Sequence, residues 1–163
     1  MLSKDYRILL LMQQVVNAVK KARRNELLPH GITLEEFMVL YILQDAEGPV
    51  IPSRISHLLC QERNTVSTHL DRMARKNLVK RVRNFKNDRR LTRVTITTKG
   101  KSIFGHVQEA QARKEKGKGA LTSIFSSFSR EEYEQFSEFL LRLRKKALEE
   151  IETKGLKWKP PVP

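Results

Sequence analysis

Helix, tight turn, helix and hairpin follow one another between Ile51 and Gly100, and no other part of the chain limits the fold as strongly. Pro52 suits a first helical turn, because the amide it lacks would find no partner there. Ile55, Leu58 and Leu59 give that helix an apolar face, and Cys60-Gln61-Glu62 forms a turn. A following helix over residues 63–76 sets Val66, Leu70 and Met73 on one side, at i, i+4 and i+7. Asn77 stops it, since asparagine tolerates the left-handed conformation. Residues 78–83 and 91–97 have strand character. The seven residues from Asn84 to Arg90 hold six polar side chains and no glycine, which makes a long solvated hairpin tip, more a wing than a tight turn.

Charge is concentrated in the same window. From Arg54 to Lys101 there are 14 Lys or Arg against three acids (Glu62, Asp71 and Asp88), a surplus of +11, while the remainder carries only +3 of the formal +14. A positive patch on a helix–helix–hairpin unit suits a polyanion, because each phosphate neutralised releases counterions. With its core positions set aside, the second of these helices presents Asn64, Thr65, Ser67, Thr68, His69 and Arg72. Short hydrogen-bonding side chains permit close approach to a major groove, and arginine binds guanine through two parallel hydrogen bonds. Asn64, Thr65, Thr68, His69 and Arg72 are the candidates for base contact, with Ser67 as a phosphate ligand. Taken alone, such a helix equally fits a solvated polar surface. The hairpin adds Arg81, Arg83, Lys86, Arg89, Arg90 and Arg93 around its tip. An arginine there suits a narrow minor groove, and Asp88 stands two residues before Arg90, placed to brace it.

The flanks read as helices. Residues 3–28 carry a stripe of Tyr6, Leu9, Leu10, Gln13, Val16 and Val19, stopped by Pro29-His30-Gly31. Ile8-Leu9-Leu10-Leu11-Met12 resembles a short signal core, but Gln13, Gln14 and Asn17 interrupt it and no small-residue cleavage site follows, so an amphipathic helix is expected. Thr33 with Glu36, and Ser129 with Glu132, form capping boxes. Thr98 is expected to cap a helix from Lys99 to about Lys116, interrupted by Gly117-Lys118-Gly119 and resumed over residues 120–128. Phe125, Phe128, Tyr133, Phe136, Phe139 and Leu140 are more apolar surface than a short helical hairpin buries within itself, which calls for a two-fold partner. The expected organisation is an N-terminal dimerisation helix (1–30), a DNA-binding unit (31–100), C-terminal dimerisation helices (101–153) and a flexible tail (154–163). Tyr6, Leu9, Phe128, Tyr133, Phe136, Phe139 and Leu140 are the expected dimer contacts.

Ile55-Ser56-His57-Leu58-Leu59, Thr65-Val66-Ser67, Leu70-Asp71-Arg72-Met73 and Lys76-Asn77-Leu78-Val79-Lys80-Arg81 together resemble the winged helix-turn-helix of the MarR (multiple antibiotic resistance regulator) family. The wing signature Asn87-Asp88-Arg89-Arg90, followed by Val94-Thr95-Ile96-Thr97-Thr98-Lys99-Gly100, resembles it too. The motifs cover Thr33 to Phe104; beyond them the likeness is one of layout. The resemblance implies a mainly α fold with a small β-wing, its winged module flanked by interlaced dimerisation helices. It implies a homodimeric regulator, usually a repressor, on a pseudo-palindromic operator in double-stranded DNA. On this reading Asp88 and Arg90 are the wing pair, and Lys76, Arg83, Lys86, Arg89 and Arg93 serve phosphates. Family members that respond to small molecules hold them between the winged module and the dimer helices, and no residue here declares such an effector. The chain departs from the family pattern at Cys60, Gln61 and Glu62, where glycine, an apolar residue and Ser or Thr are usual.

Other chemistries find little support. Cys60, the lone cysteine, excludes an internal disulfide framework and makes the reducing cytoplasm the expected compartment. It is expected to be small and buried rather than a sensor. His57 with Cys60, and His106 with Glu109, give two ligands each, too few for a metal site. No phosphate-binding glycine loop or nucleophile elbow is present, so neither an enzyme nor a cofactor is expected. No run of apolar residues is long enough to span a bilayer. The remaining alternative is a basic protein that coats DNA without sequence preference.

Overall fold

The computed structural model describes residues 3–46, 48–83, 92–114 and 119–154, with the backbone alone for Arg83 and for residues 111–114. Ser3 opens the first helix, α1 (Lys4–Leu27), its side chain accepting from the Tyr6 amide at 3.4 Å. A 3-10 turn over Leu28–His30 follows. Gly31 closes it in the left-handed region (φ 67°), which only glycine enters without steric cost. The capping box at Thr33 forms as the spacing predicts. The Thr33 amide donates to Glu36 Oε2 at 3.0 Å and the Glu36 amide to Thr33 Oγ1 at 3.2 Å, launching α2 (Leu34–Asp45).

The core lies where α2 meets α3 (Pro52–Leu59), α4 (Arg63–Arg75), the hairpin strands β1 (Val79–Arg83) and β2 (Thr92–Ile96), and α5 (Thr98–Lys114). Leu40, Ile55, Val66, Leu70, Met73, Leu78 and Val94 are all fully buried there. Phe37 of α2 stacks on Phe104 of α5, ring centres 5.4 Å apart, closing the core toward the outer helices. β1 and β2 pair antiparallel with Val79 opposite Ile96 and Arg81 opposite Val94. Val50 bridges to the same rung, its amide donating to the Val94 carbonyl at 2.9 Å and its carbonyl accepting from the Val94 amide at 2.8 Å. Val50 thus contributes a single bridge and no further strand residue.

The cap of α5 is one residue earlier than expected. Thr97, not Thr98, accepts from the Gly100 amide at 3.0 Å, because its hydroxyl also donates to the Asn77 carbonyl at 2.7 Å and so is held in place. Gly100 sits against the chain at this junction. A Cβ there would lie 2.2 Å from the Leu78 carbonyl oxygen and 2.9 Å from Ile96 Cγ1. Gly100→Ala should therefore destabilise the protein by about 1–3 kcal/mol, the usual cost of overpacking. Thermal unfolding followed by circular dichroism would measure it, and a shift no larger than that of Gly105→Ala, where an added Cβ meets nothing within 4 Å, would contradict it.

The chain resumes in α6 (Ala120–Phe125), which ends three residues before the expected Phe128, and continues in α7 (Arg130–Thr153). The Ser129 capping box starts α7, and the Ser129 amide and hydroxyl hold the Glu132 carboxyl below the usual carboxylate range. None of the residues of α7 is buried in the protomer, and Tyr6, Ile8, Leu9, Leu10, Val15 and Val16 of α1 are about half exposed or more. Buried Leu27 and several polar contacts join α1 to the rest. Arg23 is fully buried, 5.2 Å from the centre of the Phe37 ring and paired with Glu26, whose other oxygen accepts from the Ala120 amide at 2.7 Å. Lys20 pairs with Glu35 of α2 at 3.1 Å. Among the described residues no helix is long and apolar enough to cross a membrane.

Candidate nucleic-acid interface

α3 and α4 meet through a turn that the sequence makes unusual. After α3 the chain leaves its last turn with the Gln61 amide on the Ser56 carbonyl (3.0 Å) and the Cys60 amide on that of His57 (3.1 Å), the paired bonds of a Schellman stop. Such a stop needs a left-handed residue, and Cys60 supplies it at φ 49°. The same conformation turns its side chain outward: Cys60 is exposed, contrary to the buried position expected of it. Buried Ser56 holds the turn from inside, its hydroxyl donating to the Gln61 carbonyl. Because a residue with a Cβ is strained there and glycine is not, Cys60→Gly should stabilise the protein by up to about 1 kcal/mol after glycine's entropic cost. Urea unfolding would show it as a higher midpoint at constant slope, and a lower midpoint would refute it.

Val66, Leu70 and Met73 seat α4 on the core and leave the opposite face outward. Asn64, Thr65, Thr68 and Arg72 are all exposed, while His69 on one flank and Ser67 on the other are half-buried. The Thr68 hydroxyl donates back to the Asn64 carbonyl at 3.0 Å, which keeps a lone pair turned to solvent. α4 ends in a second Schellman stop, with the Leu78 amide on Met73 and Asn77 at φ 58°, as its residue type predicts. That stop aims the chain directly into β1.

Two contacts that sequence spacing does not disclose shape this face. Arg81 of β1 reaches back to α4, its Nη1 donating to Asp71 Oδ1 and lying 3.5 Å from Ser67 Oγ. Lys76 corrects an expectation. Rather than standing free for phosphate, its ammonium meets both oxygens of fully buried Glu36 at 2.9 Å and the Gly31 carbonyl at 3.0 Å, so each of its three protons has an acceptor. Lys99 in turn donates to the Lys76 carbonyl at 3.0 Å. Arg93 is half-buried on β2, opposite Val82. Lys86, Asp88, Arg89 and Arg90, and the side chain of Arg83, lie outside the described residues.

An exposed polar face on α4, a left-handed turn before it and the paired strands β1 and β2 after it form a winged helix-turn-helix. Residues 32–92 match the MarR family model. MarR proteins are DNA-binding transcriptional regulators, and the fold continues outside the matched span. The organohalide-sensing transcriptional regulator RdhR-CbdbA1625, solved with 2,4-dichlorophenol bound, superposes with a TM-score of 0.78 at 22% identity, over 91% of this chain and 83% of that one. AbsC, a MarR family regulator from Streptomyces coelicolor, gives 0.75 at 18% identity over 90% and 96%. A MarR variant from E. coli complexed with operator DNA gives 0.70 at 22% identity over 82% and 90%. Among curated protein sequences none matches this chain significantly. The MarR-type layout accounts for the long outer helices: α1, α6 and α7 lie outside the matched residues and carry most of the exposed apolar side chains. Among the described residues no group of three or more His, Cys, Asp or Glu is placed to hold a metal ion.

Proposed function

We propose that this chain is a sequence-specific transcriptional repressor that binds a pseudo-palindromic operator as a homodimer. The observation that carries the reading is the outward face of α4, where Asn64, Thr65, Thr68 and Arg72 are exposed on a helix whose other face is locked into the core. Thr65, Thr68, His69 and Arg72 then meet base edges and Ser67 lies toward a phosphate. The wing residues Lys86, Arg89, Arg90 and Arg93 track the flanking backbone and minor groove, with Asp88 bracing Arg90. The MarR neighbour solved on operator DNA supports the docking mode. The exposed apolar faces of α1 and α7 support the two-fold partner, which gives two recognition helices one helical turn apart. The neighbour solved with 2,4-dichlorophenol supports a small-molecule effector in the same layout, its identity here unassigned.

Footprinting on the DNA upstream of its own gene, with scrambled competitor and at two salt concentrations, tests the proposal. A two-fold protected site of about 20 base pairs that resists competitor supports it. Protection that spreads evenly and collapses with salt establishes the coating protein instead. On such an operator, Arg72→Ala should cost about 1–3 kcal/mol and relax preference at the base it contacts. An equal loss on operator and scrambled duplex, read by anisotropy titration, would remove Arg72 from the base-reading set.

A further inference from the structure

Resting on the repressor reading above, the geometry points to the Asp71–Arg81 pair as the device that sets operator specificity, by fixing the angle at which the wing leaves the recognition helix. The argument begins with the rung on which Arg81 sits. Arg81 pairs with Val94, and Val94 is hydrogen-bonded on its other side to Val50. At this rung both strands are fastened to the body of the module. β2 is held there through Val50, by two backbone bonds, and β1 reaches α4 there through the Arg81 side chain. Beyond it, the pairs Val82–Arg93 and Arg83–Thr92 project toward the hairpin. Freeing Arg81 from α4 would let one strand pivot about the other.

The partners on α4 are one helical turn apart. Ser67 and Asp71 stand at i and i+4 on the flank that faces β1, beside the exposed base-reading positions Asn64 and Thr68. The Arg81 side chain is mostly covered, at 20% exposure, whereas that of Asp71 is 60% exposed. Between Arg54 and Lys101 the described acids are only Glu62 and Asp71. An exposed carboxylate on the phosphate-facing side of a positive module repels DNA, so its place there needs a local return. That return is a defined geometry, in which the recognition helix and the wing engage their grooves in one register. Asp71 and Arg81 are thus positioning residues.

A duplex selected from a random pool by the unaltered full chain serves as the operator probe, and a shuffled duplex of equal composition as the reference. Asp71→Asn should lose roughly tenfold on the selected duplex, the scale of a broken coupled pair, and hold the shuffled duplex as well as the unaltered chain or slightly better. Dimethyl sulfate protection of guanines in the major groove should persist while hydroxyl-radical protection in the flanking minor grooves weakens. Arg81→Gln should do the same, Asp71→Glu should retain both protections, and thermal melting should hardly move because the pair is partly solvated. Tighter binding of both duplexes by Asp71→Asn would overturn the proposal, since Arg81 would then be a phosphate ligand that Asp71 merely occupies. Equal losses on both duplexes, or intact minor-groove protection, would overturn it too. If the unaltered chain enriches no sequence, the repressor reading itself falls, a result separable from these because it precedes any substitution.

Discussion

Replacing Lys76 by Met should destabilise the protein by about 3 kcal/mol and leave its salt dependence on DNA unchanged. Glu36 is 1% exposed, and its carboxylate leans on the Lys76 ammonium with both oxygens. Methionine matches the length of the lysine stem but offers no proton, so the buried charge would retain only the Thr33 amide. Stranding a buried charge costs about 3–5 kcal/mol. The lower end applies because the Lys76 side chain is 38% exposed and water can reach the gap. Adding Glu36→Gln to Lys76→Met should recover much of the loss, since a neutral amide no longer needs the cation while still accepting from Thr33. Urea unfolding of both variants decides it. A loss below about 1 kcal/mol for Lys76→Met would class the pair with surface ion pairs. A reduced salt slope on DNA in the folded variant would return Lys76 to the phosphate-contacting set.

This hub shows where sequence stops being informative. The spacing of Val66, Leu70 and Met73, the capping boxes at Thr33 and Ser129, and the stop at Asn77 are local patterns. Each appears in the structure because neighbours along the chain decide it. The Lys76–Glu36 pair joins residues 40 apart, and Asp71–Arg81 crosses from helix to strand, so in both cases the partner is chosen by tertiary packing. Thr97 and Thr98 are adjacent and chemically identical. Only the carbonyls of Asn77 and Leu78, brought near by the hairpin, select Thr97 as the cap. The outward turn of Cys60 follows from its left-handed backbone, for which the residue type is a poor signal: cysteine is commonly buried, and glycine is the residue that marks such a turn. On the candidate interface, the exposed side of α4 was readable as the complement of its core face. The Arg81 anchor was not, because an arginine in a basic run looks the same whether it faces solvent or an aspartate.

Phe136→Asp should separate the proposed dimer and, with it, operator binding. In the protomer Phe136 stacks on Phe128 at 5.6 Å, and Phe125 meets Tyr133 edge-on at 5.7 Å, yet each of these rings remains more than a third exposed. Phe139 and Leu141 beyond them are 57% and 62% exposed. An aromatic strip of this extent, together with the exposed apolar residues of α1, is the kind of surface a second copy covers. In a two-fold interface every substitution occurs twice. A central aromatic contributes about 2 kcal/mol or more when truncated, and an aspartate adds the cost of desolvating a charge. Two copies should therefore weaken association by at least about 4 kcal/mol, roughly a thousandfold. Sedimentation equilibrium across a concentration series would read it directly, with Glu138→Asp, an exposed neighbour on α7, as the control. A variant that still folds but binds only half of a two-fold footprint would complete the case, because each module would then meet its half-site alone. Association unchanged by Phe136→Asp would detach the strip from dimerisation and remove the two-fold operator from the proposal.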